Sequence, residues 1–343
     1  NTTGNNNSAL GHAALKENTT GENNVAIGFE ALEKNTTGQN NVGVGRNALD
    51  SNTTASGNTA VGYGSLLANT TGAANTALGA LALDANTTGS NATAIGYEAL
   101  TSATNGNSVA VGYRAGKSIT TGNVTAIGKQ AMENATHVVR SVAVGENTLR
   151  NLQGDQAHDN TAVGYNSLVT CTTGTNNTAL GTYSLDALTT GSFNVGIGLS
   201  ALGQVTTSSN NTAIGSNSGN NITTGDSNTA VGQGSMLDCT TGVSNIAIGR
   251  LSLRQNSTGD YNVAIGHDAV NRMTGSRNIG IGYQAMFGNS TSPTGQDNIA
   301  IGREALHDVS TGDKNIAIGN YVLDKNTTGD NNIAVGDNAL GAN

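Results

Sequence analysis

Five histidines lie scattered along the chain, and His158 has carboxylates close by, Asp155 and Asp159 in GDQAHDN. A histidine between two aspartates has the donors for a metal ion or a proton relay. The stretch is also a small insertion, so a solvated loop explains it as well and is the preferred reading. Asp226, Asp260, Asp313 and Asp330 each follow a glycine in a recurring T-G-D. Carboxylates repeated beside glycine are the oxygen donors a calcium ion takes, and Asp313 and Asp330 are the calcium candidates. Against them, the same place elsewhere holds Ser, Gln, Glu or Ala. Tyr63, Tyr97 and Tyr113 each follow a recurring glycine at a variable, solvent-facing place, where aromatic rings could contact glycans. Each N-T-T is formally an N-glycosylation acceptor (Asn1, Asn18, Asn35, Asn52, Asn69, Asn86 and Asn326), although Asn and Thr are also ordinary turn residues. No general acid–base or nucleophile pair stands out, and no helix follows the glycines of A-I-G to make a phosphate cradle. Neither an enzyme nor a cofactor is expected.

What must position these residues is a repeat. NTTGENNVAIGFEALEK (18–34) is followed at once by NTTGQNNVGVGRNALDS (35–51), and aligning the A-aliphatic-G cores gives 20 repeats in 343 residues. The spacing is 17 nearly throughout, with 16 into Gly112, Gly128 and Gly282, 19 into Gly164 and 20 into Gly302. The consensus is N-T-T-G-x-x-N-[VTI]-A-[IVL]-G-x-x-A-L-x-x. Position 11 is always Gly, position 10 is Ile, Val or Leu, and position 9 is Ala or Gly. Position 7 departs from Asn only at Ala92, Ser108, Val124 and Ser141, so turns about 92–160 are irregular, and 288–296 carries an insertion. No separate domain fits, so 1–343 reads as one array. It opens in mid-pattern without Met and is expected to be a segment of something longer.

The period-two alternation of V-A-I and the β-branched residues at position 8 predict a strand. Seventeen residues are one turn of a narrow coil. The expected fold is all-β, a parallel β-solenoid (β-roll) of about 20 turns with a 17-residue repeat. Each turn should hold a five-residue strand, a glycine corner, a short return and an N-T-T-G loop, with Gly4 and Gly11 where positive φ or close backbone approach is needed. Stacking in register makes ladders of like residues: Asn24 and Asn41, Ile27 and Val44, Gly28 and Gly45, Leu32 and Leu49. About three large aliphatics per turn are expected to be buried. A lone coil this thin is short of apolar burial, so association of several chains is expected.

Net charge is −8 without a basic run, which removes the footprint of nucleic-acid binding. No apolar stretch is long enough for a membrane-spanning helix. Cys171 and Cys239 both replace the first Asn of N-T-T-G and lie four repeats apart, roughly 19 Å. A disulfide cannot bridge that distance, so both read as passengers at a turn.

NNVAIGFEAL, NTAVGYGSL and above all GNSVAVGYRAG (106–116) resemble the head repeat of trimeric autotransporter adhesins. Similar arrays occur in phage tail-fibre-like and bacterial surface proteins. The resemblance covers essentially the whole chain. It implies a left-handed parallel β-roll with three chains about one axis, although the adhesin repeat is shorter and the N-T-T-G loop carries the difference. The expected function is the shaft or head of a homotrimeric extracellular fibre, on a cell-surface appendage or virion tail, attaching to a cell-surface glycan or protein receptor. An ice- or crystal-binding β-solenoid is the alternative, drawing on the stacked Thr, and a polysaccharide depolymerase stands behind it.

Overall fold

The glycine at position 11 sets the geometry of every turn. Its φ lies near +130°, for example 135° at Gly28, 134° at Gly45 and 136° at Gly62. A Cβ there would also stand 2.5 Å from the carbonyl oxygen of the same glycine one turn on, as at Gly28 and Gly45. Both conformation and space exclude any other residue. Gly21, at position 4, is required for space alone, since a Cβ would meet the Gly38 carbonyl at 2.4 Å.

In this computed structural model, which describes residues 1–154, 157–288 and 293–341, each turn contributes one strand at positions 8–10. Contacts gather the chain into two compact units, Asn1–Thr175 and Asn176–Asn343. The first holds ten parallel strands, β1 (Ser8–Leu10) to β10 (Thr161–Val163), and the second ten more, β11 (Thr178–Leu180) to β20 (Ile333–Val335). No helix occurs among the described residues. Each unit is a parallel β-solenoid in which like sits on like. Val25, Ala26 and Ile27 pair with Val42, Gly43 and Val44 in the first unit, and Ile246, Ala247 and Ile248 with Val263, Ala264 and Ile265 in the second.

The strands have three residues rather than the expected five, for a local reason. At position 7 the backbone N–H bonds a side chain instead of a strand: Asn41 N–H donates to Oδ1 of Asn24 at 2.9 Å. At position 11 the glycine turns the chain away. Beyond the strand the turns still hold each other through backbone bonds, including Asn47 N to Phe29 O at 2.8 Å and Leu49 N to Ser65 O at 3.1 Å. These bonds over-determine the left-handed conformation of positions 6, 13 and 15, seen at Asn23 (φ 56), Glu30 (φ 55) and Leu32 (φ 52). Asn suits position 6 because it enters that region at low cost.

The interior corrects the expected burial. The alternation is as expected, but Ala26, Ala60 and their equivalents point inward and are fully buried, while Ile27 is 40% exposed. So the position 10 ladder, including Ile27 and Val44, runs along the outside. Leu32 and Leu49 at position 15 are fully buried, and a turn of 17 residues has no room for two more large side chains from the strand. Around Leu32 and Leu49 the rest of the core is small or polar. Position 7 forms the Asn ladder, in which Asn24 Nδ2 donates to Gly38 O at 2.9 Å and Asn41 Nδ2 to Ala55 O at 2.8 Å.

Position 1 is a second inward seam. From Asn18 to Asn86 it is an amide ladder, with Asn35 Nδ2 to Asn18 Oδ1, Asn52 to Asn35 and Asn69 to Asn52 all at 2.9 Å. It then becomes apolar through Ala103, Ile119, Ala135, Leu152 and Cys171, all buried. In the second unit it runs through Leu188, Val205, Ile222 and Cys239, also buried. Where position 15 lacks a side chain, position 1 fills the space. A Cβ on Gly116 would meet Ile119 Cδ1 at 3.2 Å, and one on Gly219 would meet Ile222 Cδ1 at 3.0 Å.

Candidate functional site

The outside of the strand carries two columns of side chains, positions 8 and 10. In the first unit position 8 is a mixture of Val and Thr after Ser8 (Val25, Val42, Thr59, Thr76, Thr93). In the second unit it is wholly aliphatic from Ile246 to Ile333, and position 10 beside it reads Ile248, Ile265, Ile281, Ile301, Ile318 and Val335. Ile246, Ile248, Ile265, Ile301 and Ile318 are exposed, each by 36–41%. Each unit therefore presents a ribbon of β-branched residues to its surroundings.

Beyond the Gly11 corner stands a third outward column, position 12. Tyr63, Tyr97 and Tyr113 fall on it, exposed by 55%, 43% and 42%. Stacking in register lays planar groups face to face: His12 on Phe29 with centroids 5.0 Å apart, Tyr97 on Tyr113 at 5.7 Å, and Arg46 over Phe29 at 5.5 Å. Tyr97 and Tyr113 therefore cover one face of each other, and Arg114 lies over the Tyr113 ring at 5.1 Å. Among the described residues Tyr63 has no ring or cation partner: Arg46 on the preceding turn lies over Phe29, and Ala80 occupies position 12 of the next turn.

The calcium candidates have a structural role. At position 5 a side-chain oxygen accepts the position 5 N–H of the preceding turn: Asp313 Oδ1 takes Gln296 N at 2.7 Å and Asp330 Oδ1 takes Asp313 N at 2.8 Å. Asp226 and Asp260 do the same for Ser209 and Val243. Serine is an alternative there, as in Ser56 to Gln39 and Ser90 to Ala73. That explains why Asp and Ser interchange at this place.

His158 Nδ1 lies 2.7 Å from Asp159, and Arg140 binds Asp159 through both oxygens at 2.7 and 2.9 Å. The Arg140 guanidinium, helped by His158, holds the Asp159 carboxyl down at about 2. Asp155, the other carboxylate of that motif, lies outside the described residues. So does 289–292 of the 288–296 insertion. The one group of three or more metal-type donors among the described residues is Glu30, Glu33 and Asp50, which sequence reasoning did not single out. Lys16 bonds Glu33 at 2.9 Å, Lys34 bonds Asp50 at 2.7 Å and Asn47 bonds Glu30 at 2.8 Å, so each carboxylate already has a donor.

Cys171 and Cys239 lie in the inward position 1 seam, and burial pushes both thiols up to about 11. The reading of them as turn passengers is corrected: they pack the core. Burial also withdraws most N-x-T amides, since Asn35, Asn52, Asn69 and Asn86 are fully buried in their ladder. The signal was in the repeats, because position 1 changes from Asn to Ala, Ile, Leu, Val, Cys or Met and never to a charged residue.

No family model and no curated protein sequence matches the chain. No helix among the described residues is long and apolar enough to cross a membrane.

Proposed function

We propose that the chain is the shaft or head segment of a homotrimeric extracellular fibre that attaches to a surface, on a cell appendage or a virion tail. The observation that carries this reading is the outward ribbon at positions 8 and 10. A single coil fills its own interior with Ala, Asn and one or two larger side chains per turn, and leaves the aliphatic residues of positions 8 and 10 on its outside. An aliphatic face repeated on successive turns is what a chain needs to bury against copies of itself. Association about a common axis would bring these ribbons together and leave the position 12 column at the outer corner. Several copies of one weak contact surface then act by avidity. The absolute mass in solution tests the reading. Light scattering should return three times 34.3 kDa, unchanged on dilution, and a stable folded monomer would overturn it.

The crystal-binding alternative has its own observation. Thr20, Thr37, Thr54, Thr71 and Thr88 at position 3 form an exposed column, while the hydroxyls of Thr19, Thr36 and Thr53 at position 2 are taken by backbone carbonyls. That reading requires thermal hysteresis or inhibition of crystal growth, whereas a fibre segment shows neither.

A further inference from the structure

In the second unit the position 12 column reads Gln233, Arg250, His267, Tyr283, Arg303 and Asn320 over six consecutive turns. These side chains lock one another. Arg250 Nε reaches Gln233 at 3.3 Å and its Nη1 reaches His267 Nε2 at 2.9 Å. Because a guanidinium only donates, that ring nitrogen accepts. His267 stacks on Tyr283 at 5.6 Å, and the Arg303 guanidinium lies between two rings, Tyr283 at 5.9 Å and Tyr321 at 5.2 Å. Glu304 holds Arg303 Nε at 3.2 Å. Among the described residues nothing bonds either Nη of Arg303 or Nη2 of Arg250, and both residues are exposed.

We propose that this column binds a carboxylated polysaccharide, with Arg250 and Arg303 each taking a carboxylate and the heads between them taking sugar hydroxyls; this deepens the attachment reading and rests on it. Three considerations select that ligand. A guanidinium clamped between rings has already lost its side-chain freedom, and its free Nη edge matches a carboxylate. The rings present edges rather than faces, which suits hydrogen bonding to hydroxyls and not the stacking of bases. The two arginines stand three turns apart, about 14 Å at the spacing of neighbouring strands, too far for one small anion. Nucleic acid fits poorly, because single strands bind by stacking bases on free ring faces, while Tyr283 has His267 stacked on it and Arg303 over it.

Titration calorimetry of the full chain against polygalacturonate, dextran, free galacturonate and single-stranded DNA tests the proposal. Polygalacturonate should bind, and dextran, the monosaccharide and DNA should bind far more weakly. Arg303→Gln and Arg250→Gln should each weaken polygalacturonate about tenfold or more, the scale of a lost hydrogen bond to a charged group. Tyr283→Ala keeps both charges but removes the clamp and should also weaken binding, whereas Arg46→Gln in the first unit should not. Circular dichroism confirms that each variant folds, as expected for exposed positions. Equal binding of dextran, tighter binding of DNA, unchanged affinity in Arg250→Gln and Arg303→Gln, or an equal loss in Arg46→Gln would overturn it. A trimeric mass with no polygalacturonate binding would remove this inference and leave the fibre standing. Binding by a monomer would do the reverse.

Discussion

At the scale of residues, positions 11 and 1 are constrained by different causes. Position 11 is fixed by backbone geometry, so its side chain cannot be exchanged even for a methyl. In Gly62→Ala the new Cβ would lie 2.6 Å from the carbonyl of Gly79 with φ at 136°. The turn must open or the residue must leave its conformation. A loss of about 3 kcal/mol or more is expected in urea unfolding, since strain and broken inter-turn bonds add. A change below about 1 kcal/mol would show that the corner is softer than its geometry. Position 1 instead is fixed by its surroundings, as its cysteines show. With both thiols raised to about 11 by burial, iodoacetamide at pH 8 should label neither in the folded protein and both after denaturation. A raised folded value favours the neutral thiol, so the contribution is intact below the unfolded thiol value of about 8.5 and is lost as pH rises towards 11. Stability should therefore fall across that alkaline window, less so in a Cys171→Ala, Cys239→Ala double variant.

At the scale of the turn, the sequence carried the period, the register and the strand, because each depends only on spacing. It did not carry the face. Alternation separates Val25 and Ile27 from Ala26 but is silent on which side is inside, and burying three large aliphatics per turn is more than the coil holds, since its strand side has room only for alanine. Position 1 was hidden for another reason, since N-T-T-G is composed of turn formers and reads as a loop. The position 5 aspartates looked like ion ligands because their backbone partner lies one turn away and leaves no local trace. What links positions 15 and 1 is volume. Leu100 with Ala103 and Met132 with Ala135 flank the reversed pair Gly116 with Ile119, and all of them except Gly116 pack as buried apolar side chains. Gly116→Leu alone should crowd Leu100 and Ile119, which stand 3.0 and 3.2 Å from the new Cβ. Ile119→Ala alone should leave a cavity worth about 2–4 kcal/mol. The double variant recreates the neighbouring turns, so its loss should be smaller than the sum by about 1–3 kcal/mol. Strict additivity in urea titrations would show that the two positions do not share one space.

At the scale of the whole molecule, the difference between the units bears on how copies would meet. The first unit presents five threonines along its outward position 8 residues, and the second, after Thr178, Thr212 and Thr229, presents six successive Ile or Val at that place. Burial of aliphatic surface contributes about 25 cal/mol per Å², and a threonine hydroxyl buried without a partner costs free energy. Association should therefore draw more on the second unit. Ile265→Asp with Ile281→Asp introduces charge on the outside of the coil, where one chain alone keeps it in water at little cost. In a trimer joined through these ribbons the same carboxylates from three chains would converge without partners, a situation costing several kcal/mol. The expected outcome is a mass of 34.3 kDa by light scattering with an unchanged circular dichroism spectrum. Thr59→Asp with Thr76→Asp in the first unit should shift the mass less. A trimer that survives the paired isoleucine change would mean that the ribbons do not meet, and the axis would have to be sought on another side of the coil.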